Sequence, residues 1–578
     1  MTDSSNPLID DRVVDLILSR VVDAEALTAL PAFSDHSAET FALYLATCRR
    51  VAREVLYPAY RPMDQEPPRL EDGRVKLHPR MKQVWPALRE LGAIAATRPF
   101  DVGGQQLPLT VGTLAHAYLM AGNLAAAGLA WLTTGAAHLI EAFGDEAVKA
   151  RFLTPMYEGE WTGTMALTEP HAGSSLADIT TTATPADDGT YRIRGAKIFI
   201  SGGDHDLAEN VVHLVLARID GAPEGTKGIS LFAVPRRRPE GDDLVLNDVH
   251  VTGVIHKIGW RGLPSLALGF GDEGDCHGWL VGEPHRGLAH MFQMMNEARI
   301  QVGVNGVATA SVAFHESLAY AKERKQGRAL GAKGGAPVPL IAHADVRRML
   351  LRQKAIVDGG LCLCAVTARY ADASHDDAHA RLMLDLLTPV TKSFPAEAGF
   401  EANVLAVQVL GGYGYTSEYL PEAWMRDQKL NSIHEGTTGI QSLDLLGRKV
   451  VAKGGAALQA FAEAVRADAT GELGAPVQAA LGRVLALTAS LGARGMQGDV
   501  EGMLGHSADY LELFSILVIA WMHLKLSNAV DGRDDDFAEG MRRSAQYWIA
   551  TEVPRVEALA ARCESAERSY LDIRPEQF

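Results

Sequence analysis

From Val102 to Ile140 the chain runs for 39 residues without a single Asp, Glu, Lys or Arg. A membrane span needs about 20 strongly apolar residues, and the part from Ala117 onward is long enough. That part, however, contains Asn123, His138 and several glycines, and alanine makes up more of it than leucine or isoleucine. We therefore expect buried helices that pack closely through small residues, and no membrane-spanning segment.

A second apolar run, Leu513–Leu524, lies between Glu512 and Lys525. It is too short to cross a bilayer, which needs about 20 apolar residues. We expect it to form a core helix of the C-terminal part of the chain.

The overall composition is that of a globular protein, with 47% hydrophobic and 22% charged residues among 578. This content excludes disorder along the whole chain, because disordered chains lack the apolar surface that offsets their ordering entropy. The formal net charge of −16 argues against nucleic acid as the main ligand.

The five cysteines are an odd number and are thinly spread, which suits neither a disulfide scaffold nor a zinc site. We expect no metal and a reducing compartment. The N-terminus has acidic residues where a signal peptide has basic ones, so we expect a cytoplasmic protein.

Hydrophobic periodicity divides the chain into four predicted domains. Residues 1–160 have helical patterns. One of them follows Ser34–Thr40, a segment rich in capping residues. Residues 161–280 form a β-domain, residues 281–452 a helical bundle and residues 453–578 a helical appendix. The strands of the β-domain are short, rich in β-branched and aromatic residues, and separated by turn clusters. They are predicted at Tyr191–Ile200, Val211–Ala217, Gly228–Val234, Val249–Ile255 and Leu266–Phe270.

Standard motifs contribute little. The chain contains no Walker A, HExxH or GxSxG motif. Its one GxGxxG sequence, Gly269–Gly274, carries Asp272 and Glu273, so we interpret it as an acidic hairpin turn and not a phosphate site. Cys362 and Cys364 lie in an apolar helical pattern and are expected to be core residues.

Three polar, glycine-rich segments border apolar elements and remain to be explained: Met165–Ser174, Gln408–Tyr415 and Ile433–Gln441. Backbone N–H groups in such turns can hold a phosphate or the edge of a polar ring. Glycines let a ligand or a second chain approach the backbone closely. Glu435 stands in the third segment just before a predicted helix, so it is either a functional carboxylate or a residue favoured by the helix dipole.

These three segments, in this order around a β-domain, resemble the acyl-CoA dehydrogenase family. The similarity spans roughly residues 40–450. Five motifs carry the similarity: Met165–Ser175, Gly195–Ser201, Arg299 with Arg324, Gln408–Gly412 and Met425–Thr437. The extra helical residues resemble a large bacterial subgroup that acts on methylmercaptopropionyl-CoA and on fatty acyl-CoAs.

The resemblance implies a mainly α fold with a central β-domain: an N-terminal helical bundle, a β-barrel-like middle domain and a C-terminal four-helix bundle plus a helical appendix. It implies FAD between the middle and C-terminal domains and a homodimer or tetramer. The implied cofactor-binding residues are Met165, Leu167, Thr168, Ser174, Phe199, Ser201, Arg324, Gln408, Gly411, Gly412 and Thr437. The implied substrate-binding residues are Ser174, Arg299 and Gly436.

By the same resemblance Glu435 is the catalytic base. It would remove the α-proton of an acyl-CoA thioester while the β-hydride passes to flavin, as in fatty acid β-oxidation. Electrons would then pass to an electron-transferring flavoprotein. An apolar pocket would raise the pKa of Glu435, and the uncharged 102–140 run is a plausible wall for the acyl chain.

The chain departs from the family pattern at several positions. Phe199 stands where many members have Trp, Ser175 where many have Asp, and His434 where Tyr is commoner. Gly327, Ala344 and Gly439 also differ from the usual residues. These differences affect the expected adenosine contacts and the acyl specificity.

Three other functions stay open. An acyl-CoA oxidase would use the same base and differ in oxygen access. A flavin-carrying DNA-binding stress protein needs a basic C-terminal surface, whereas residues 451–578 hold 12 Lys and Arg against 18 Asp and Glu. An inactive structural homologue would have no use for Glu435.

Overall fold

The computed structural model describes residues 6–241, 243–293, 295–434, 436–565 and 567–578. The chain forms two compact units. The first unit contains residues 31–108 and 118–298, and the second contains residues 6–30, 109–117 and 299–578. The predicted division into four domains stays a prediction.

Helices make up most of the second unit, whereas the first unit combines helices with strands. Among the described residues the α-helices are α1 (Asp11–Leu16), α2 (Ala38–Val51), α3 (Tyr57–Gln65), α4 (Met81–Glu90), α5 (Leu109–Gly122), α6 (Leu124–Phe143), α7 (Glu146–Tyr157), α8 (Gly287–Gln293), α9 (Met295–Glu323), α10 (Ala344–Ala373), α11 (Ala378–Leu410), α12 (Pro421–Gln428), α13 (Thr438–Asp444), α14 (Ala456–Asp468), α15 (Gly471–Met496), α16 (Val500–Leu504), α17 (Ser507–Asn528), α18 (Asp536–Thr551), α19 (Arg555–Ser565) and α20 (Ser569–Asp572).

The described strands all belong to the first unit. They are β1 (Arg69–Glu71), β2 (Arg74–Lys76), β3 (Trp161–Ala166), β4 (Thr182–Pro185), β5 (Tyr191–Ser201), β6 (Asn210–Ile219), β7 (Ile229–Pro235), β8 (Arg237–Glu240), β9 (Asp243–Leu246), β10 (Val249–Val254), β11 (Ser265–Phe270) and β12 (His277–Leu280). The five strands predicted from the sequence correspond to β5, β6, β7, β10 and β11, so those predictions are confirmed.

Eight of these strands form one sheet in the order β10-β11-β5-β12-β7-β6-β3, with β4 pairing to β5 and β6. β3 and β4 run parallel to β6, and the other neighbouring pairs in this sheet are antiparallel. The fold is therefore mainly helical with a central β region, as predicted.

The interpretation of Gly269–Gly274 as a hairpin turn was wrong. The segment does turn, and the Asp248 side chain accepts hydrogen bonds from the backbone N–H groups of Glu273 and Asp275. The strands that it connects, β11 and β12, do not pair with each other: both run antiparallel to β5, β11 along residues 195–201 and β12 along residues 191–192. A local pattern predicts a turn but cannot show whether its two arms will pair with each other.

Local polar side chains define where the helices begin. Ser37 is the N-cap of α2, and its hydroxyl accepts a hydrogen bond from the Thr40 N–H at 3.3 Å. The Thr40 hydroxyl accepts one from the Ser37 N–H at 2.9 Å, which completes a capping box. Asn123 breaks the uncharged run, since its side chain accepts from the Ala126 N–H at 3.2 Å and starts α6.

The uncharged run is buried, as predicted, and its second helix covers an edge of the sheet. β3 is the last strand of the sheet, and α6 packs against it. A Cβ at Gly163 of β3 would lie 2.5 Å from the Cβ of Ala136 on α6. The Gly163 N–H donates to the Thr133 hydroxyl at 3.1 Å. Small residues thus bring helix and strand into close contact.

The second unit is entirely helical in the part that the structure describes. α9 and α11 approach closely, because a Cβ at Gly303 would lie 2.2 Å from the backbone oxygen of Thr391. The N-terminal segment packs onto α9, where the Ser311 hydroxyl donates to the Leu8 carbonyl at 2.7 Å.

The apolar run Leu513–Leu524 lies within α17, and each of its residues is buried, which confirms the predicted core helix. Among the described residues, one segment, Val500–Asn528, is long and apolar enough to cross a membrane by length and composition. Within the protein, 89% of its apolar window is buried.

We predict that Gly303→Ala destabilises the second unit by about 1–3 kcal/mol, because the added methyl group must push α9 away from α11. Gly482 on α15 is the matched control, since no atom lies within 4 Å of its Cβ position. Gly482→Ala should stabilise the protein by roughly 0.5–1 kcal/mol through helix propensity. Denaturant unfolding of both variants measures the difference, and equal stability would contradict the close packing.

Candidate active site

The loop that follows β3 is held by a buried ion pair. Lys197 on β5 donates from Nζ to Glu169 Oε1 at 2.8 Å and to the Leu167 carbonyl at 3.0 Å. The Glu169 carboxylate also accepts hydrogen bonds from the backbone N–H and hydroxyl groups of Thr180 and Thr181, at 2.6–3.1 Å. One ammonium group and one carboxylate therefore position the chain from Leu167 to Glu169.

The electrostatics keep this pair charged. Burial alone would raise the pKa of Glu169, but the charge of Lys197 and the hydrogen bonds outweigh it and lower that pKa to about 2. Burial lowers the pKa of Lys197 to about 8, although the charge of Glu169 opposes this shift. Both groups are thus ionised near neutral pH.

Two residues beyond Lys197, β5 contains a bulge. From Lys197 to Ile200 the strand advances three residues, whereas its partner β11 advances two, from Leu268 to Leu266. Phe199 in this bulge has a φ of 62°, a conformation that bulky side chains rarely adopt. Its side chain is 61% exposed. Strained residues of this kind cluster at functional sites.

The residues predicted to hold the flavin ring edge lie beside this bulge. The Ile198 N–H donates to the Thr168 carbonyl at 2.9 Å, which joins the loop after β3 to β5. Met165, Leu167 and Thr168 are half-buried. An exposed aromatic ring next to a half-buried loop with fixed backbone groups suits a flat, aromatic cofactor with a polar edge such as the flavin of FAD.

The two predicted serines occupy different positions. Ser201 ends β5, and its partner across the sheet is Ser265 on β11. Ser174 is exposed and follows a tight turn, which two backbone hydrogen bonds between Glu169 and Ala172 close. The structure thus brings Met165, Leu167 and Thr168 close to Phe199 and leaves Ser174 beyond the turn.

In the second unit Arg299 is buried on α9 and pairs with Asp444 at the end of α13, with 3.0 Å between Nη1 and Oδ2. Asp444 also pairs with Arg448, at 2.6 Å. Arg299 Nε has no hydrogen-bond partner in the described part of the chain. Arg299, predicted to bind substrate, is thus a buried cation with one donor, Nε, that has no partner among the described residues.

Glu435, the predicted base, lies outside the described residues. Its neighbours are described. Gly436 has a φ of 87°, and a Cβ there would lie 2.6 Å from Gln441 Nε2. Thr437 is the N-cap of α13, since its hydroxyl accepts from the Ile440 N–H at 3.3 Å. The predicted segment is therefore a glycine turn that leads into a capped helix.

On the other side of position 435, burial together with the charge of Lys392 lowers the pKa of His434 to about 3. The imidazole is therefore neutral at physiological pH and brings no positive charge to this turn. Lys392 is itself fully buried on α11.

The residues predicted to contact the adenosine end are exposed. Arg324 follows α9, and its carbonyl accepts from the Leu340 N–H at 2.8 Å, which closes the base of the intervening loop. Gln408, Gly411 and Gly412 are exposed at the end of α11. Tyr415, just beyond them, is 90% exposed.

Sequence reasoning gave no role to Glu169 and Lys197, although both stand inside quoted motifs. A signal was present in the strand pattern. Lys197 lies four residues after the buried Ile193, so both side chains are on the same face of the strand, and it stands three residues before the buried Ile200. A charged residue therefore occupies an inward-facing position. Burying a cation requires a partner, and Glu169 is the nearest acid in the preceding motif.

Four family models match the chain. They are the acyl-CoA dehydrogenase N-terminal domain (residues 39–160), middle domain (164–272) and C-terminal domain (285–450), and the acetyl-CoA dehydrogenase C-terminal-like domain (455–574). Together they cover most of the chain.

Two curated relatives are similar over most of their length. The 3-methylmercaptopropionyl-CoA dehydrogenase of Ruegeria pomeroyi is 40% identical over 452 residues, 77% of this chain and 76% of the relative. The broad-specificity linear acyl-CoA dehydrogenase FadE5 of Mycobacterium tuberculosis is 36% identical over 446 residues, 74% of this chain and 72% of the relative.

Solved structures share the fold. Caenorhabditis elegans ACDH-11 in complex with C11-CoA has a TM-score of 0.77 at 21% identity, covering 99% of this chain and 96% of that one. The acyl-CoA dehydrogenase of Bacillus anthracis complexed with FAD has a TM-score of 0.73 at 20% identity, covering 93% and 90%.

We predict that Lys197→Met destabilises the protein by about 3 kcal/mol, because Glu169 would remain buried without its cation. The double variant Lys197→Met/Glu169→Gln should recover much of this loss, since neither charge then remains. Thermal and denaturant unfolding measure both effects. A single variant as stable as the natural protein would show that the pair does not hold the loop.

We predict opposite effects of Phe199→Gly on stability and on cofactor binding. Glycine adopts a positive φ without strain, so Phe199→Gly without cofactor should be about 1 kcal/mol more stable than Phe199→Ala. Both variants should bind FAD more weakly than the natural protein, because the exposed ring is gone. Unfolding and flavin titration test the two parts separately.

Proposed function

We propose that this chain, which belongs to the acyl-CoA dehydrogenase family of FAD-dependent oxidoreductases, dehydrogenates an acyl-CoA thioester to the trans-2-enoyl-CoA. Glu435 is the base that takes the α-proton. The observation that carries the proposal is Phe199, which is strained and exposed beside the loop that Lys197 and Glu169 hold. A folded chain retains a strained residue only where the surrounding structure fixes its conformation, and such residues cluster at functional sites.

The reaction removes a proton from the weakly acidic α-carbon and a hydride from the neighbouring β-carbon, which leaves a double bond between them. FAD, when bound, supplies the acceptor for the β-hydride. A positioned carboxylate contributes about 10²–10⁴-fold to such a proton abstraction. Glu435 stands in the sequence between His434, whose imidazole is neutral, and Gly436, and the buried Lys392 is the cation whose charge reaches His434.

Gly436 and Thr437 set the direction of the chain at this turn. The left-handed conformation of Gly436 turns the backbone, and the Thr437 cap begins α13 immediately afterwards. The Arg299–Asp444 pair anchors the last turn of α13 to α9. We propose that this anchor keeps the base segment in place and that the free Nε of Arg299 contacts the substrate.

We further propose that electrons pass to an electron-transferring flavoprotein, that the chain works in the cytoplasm and that it forms a homodimer or tetramer. Exposed Gln408, Gly411 and Gly412, next to two exposed tyrosines, Tyr413 and Tyr415, support an oligomer in which this surface meets a second copy. Arg324 and these residues would then bind the adenosine end of FAD.

We predict that Glu435→Gln binds FAD but reduces it at least 10²-fold more slowly when acyl-CoA is added anaerobically, because the amide cannot accept the α-proton. Stopped-flow absorbance of the flavin band, with a panel of acyl-CoA thioesters, measures the rate. Glu422→Gln is the control, since Glu422 pairs with Arg426 on α12 at 2.7 Å and has no role in the proposed chemistry.

Three results would contradict the proposal: a natural protein without flavin, a flavin that no thioester reduces, or a Glu435→Gln variant with unchanged rate. Turnover with oxygen as sole acceptor, at the rate seen with an electron-transferring flavoprotein, would instead indicate an oxidase.

A further inference from the structure

α11 carries a lysine, Lys392, whose side chain is fully buried. The neighbouring Thr391 contacts α10, with 2.7 Å between its hydroxyl oxygen and that of Thr367, and its carbonyl faces α9. Residues 300–314 of α9 and 359–368 of α10, which pack on this part of α11, contain no Asp, Glu, Lys or Arg. Little screening therefore surrounds the ammonium group, and its charge acts more strongly than it would at the surface.

The chain just before position 435 is attached to α11 one turn beyond this lysine. Gln428, which ends α12, donates from Nε2 to the Pro395 carbonyl at 2.7 Å and to the Ala396 carbonyl at 3.3 Å. Its Oε1 accepts from Asn431 Nδ2 at 3.2 Å. Lys392 and Ala396 are four residues apart and so lie on the same face of α11, which is the face that Gln428 contacts.

The chain just after position 435 is attached to the same part of α11. The Thr438 hydroxyl donates to the Glu397 carboxylate, and α13 packs against α11. Position 435 thus lies in sequence between two attachments, both to residues three to five positions after Lys392. The turn that contains the proposed base runs along the part of the helix in which the ammonium group is buried.

The charge of Lys392 acts on the residue next to the base. Burial and this charge together lower the pKa of His434 to about 3. A field that disfavours positive charge at position 434 favours negative charge at position 435. Where α13 meets α17, the contact is between two uncharged groups, the hydroxyls of Ser442 and Ser507. From residue 421 to residue 449 the other charged side chains are Glu422 with Arg426, the buried Asp427, Lys429 over the Phe400 ring, Asp444 with Arg299 and Arg448, and Lys449 with Asp385.

We propose that Lys392 is a positioning residue that acts through Glu435: its buried ammonium group keeps the carboxylate of the base ionised before substrate binds. This inference rests on the proposed function. An apolar site by itself protonates a carboxyl group, and a protonated carboxyl group cannot take the α-proton. A cation within about 4–6 Å lowers the pKa of a carboxyl group by about 1–3 and so opposes this effect of burial.

The test is the pH dependence of flavin reduction in Lys392→Met, with the acyl-CoA that reduces the natural protein fastest. The rate rises with pH as the base ionises. Without the cation the pKa of Glu435 increases, so this acid limb should move to higher pH by about 1–3 pH units. The rate near neutral pH should fall about tenfold or more, since each pH unit is a factor of ten in the ionised fraction. At high pH it should recover to the natural value, while the Kd of the acyl-CoA changes little.

Two variants serve as controls. Lys392→Arg keeps the charge and should keep the acid limb near its natural position. Lys449→Met removes a largely buried ammonium group that also contacts α11, where Lys449 Nζ lies 2.9 Å from Asp385 Oδ1. This second variant should leave the acid limb in place.

A second measurement needs no substrate. Infrared spectra of the flavin-loaded protein, recorded against pH, contain a carboxyl band that Glu435→Gln removes, and its titration gives the pKa of the base directly. This pKa should be higher in Lys392→Met than in the natural protein and unchanged in Lys449→Met.

An acid limb that stays in place in folded, flavin-containing Lys392→Met would overturn the inference, as would an equal movement in Lys449→Met. If Lys392 served only the buried Asp427, Lys392→Met would lose stability with no movement of the limb, which also overturns it. Should Lys392→Met fail to fold, Lys392→Gln is expected to move the limb in the same direction, and an unmoved limb there has the same meaning. Failure of the proposed function looks different: Glu435→Gln then reduces flavin at the natural rate, whereas the infrared titration still reports whether Lys392 acts on Glu435.

Discussion

Close contact between α6 and the central sheet depends on residues that have almost no side chain. Gly163 on β3 meets Ala136, Gly202 meets Leu129, and Gly128 meets the Trp260 ring. A charged or bulky residue at any of these points would separate the helix from the sheet. α6 carries no charged residue before Glu141, as this constraint requires, because most of that helix is buried.

Within the same unit, buried charges have partners of opposite sign, as Asp204 does in Arg74 and Arg236. The Lys197–Glu169 pair is buried, and removing its two charges from water costs desolvation free energy. This cost is offset because each charged group has further hydrogen-bonding partners besides the opposite charge. This pair determines the path of the chain from Leu167 to Glu169, and β5 enters its bulge two residues after Lys197. The exposed ring of Phe199 and the half-buried loop beside it thus share one anchor, which is a charge pair in the core.

In the second unit the corresponding positioning contacts lie at the two ends of a helix. The turn around position 435 is followed by a capped helix, α13, whose last turn is attached to α9 by the Arg299–Asp444 pair. α9 in turn contacts α11 through Gly303. These contacts link the segment that begins at Gly436 to two of the long helices of the unit, α9 and α11.

Local signals were enough to predict several features from the sequence: strands rich in β-branched residues, the helix start near Ser37, the buried uncharged run, and the motif positions that resemble a known family. Those signals act over a few residues, so they can be recognised without the rest of the chain. Three contacts are visible only in the folded protein: the pairing of β11 and β12 with different stretches of β5, the ion pair of Lys197 with Glu169, and the packing of Trp260 on Gly128. Each of these contacts joins residues 28 or more positions apart or depends on strand order, and packing of the whole unit selects it.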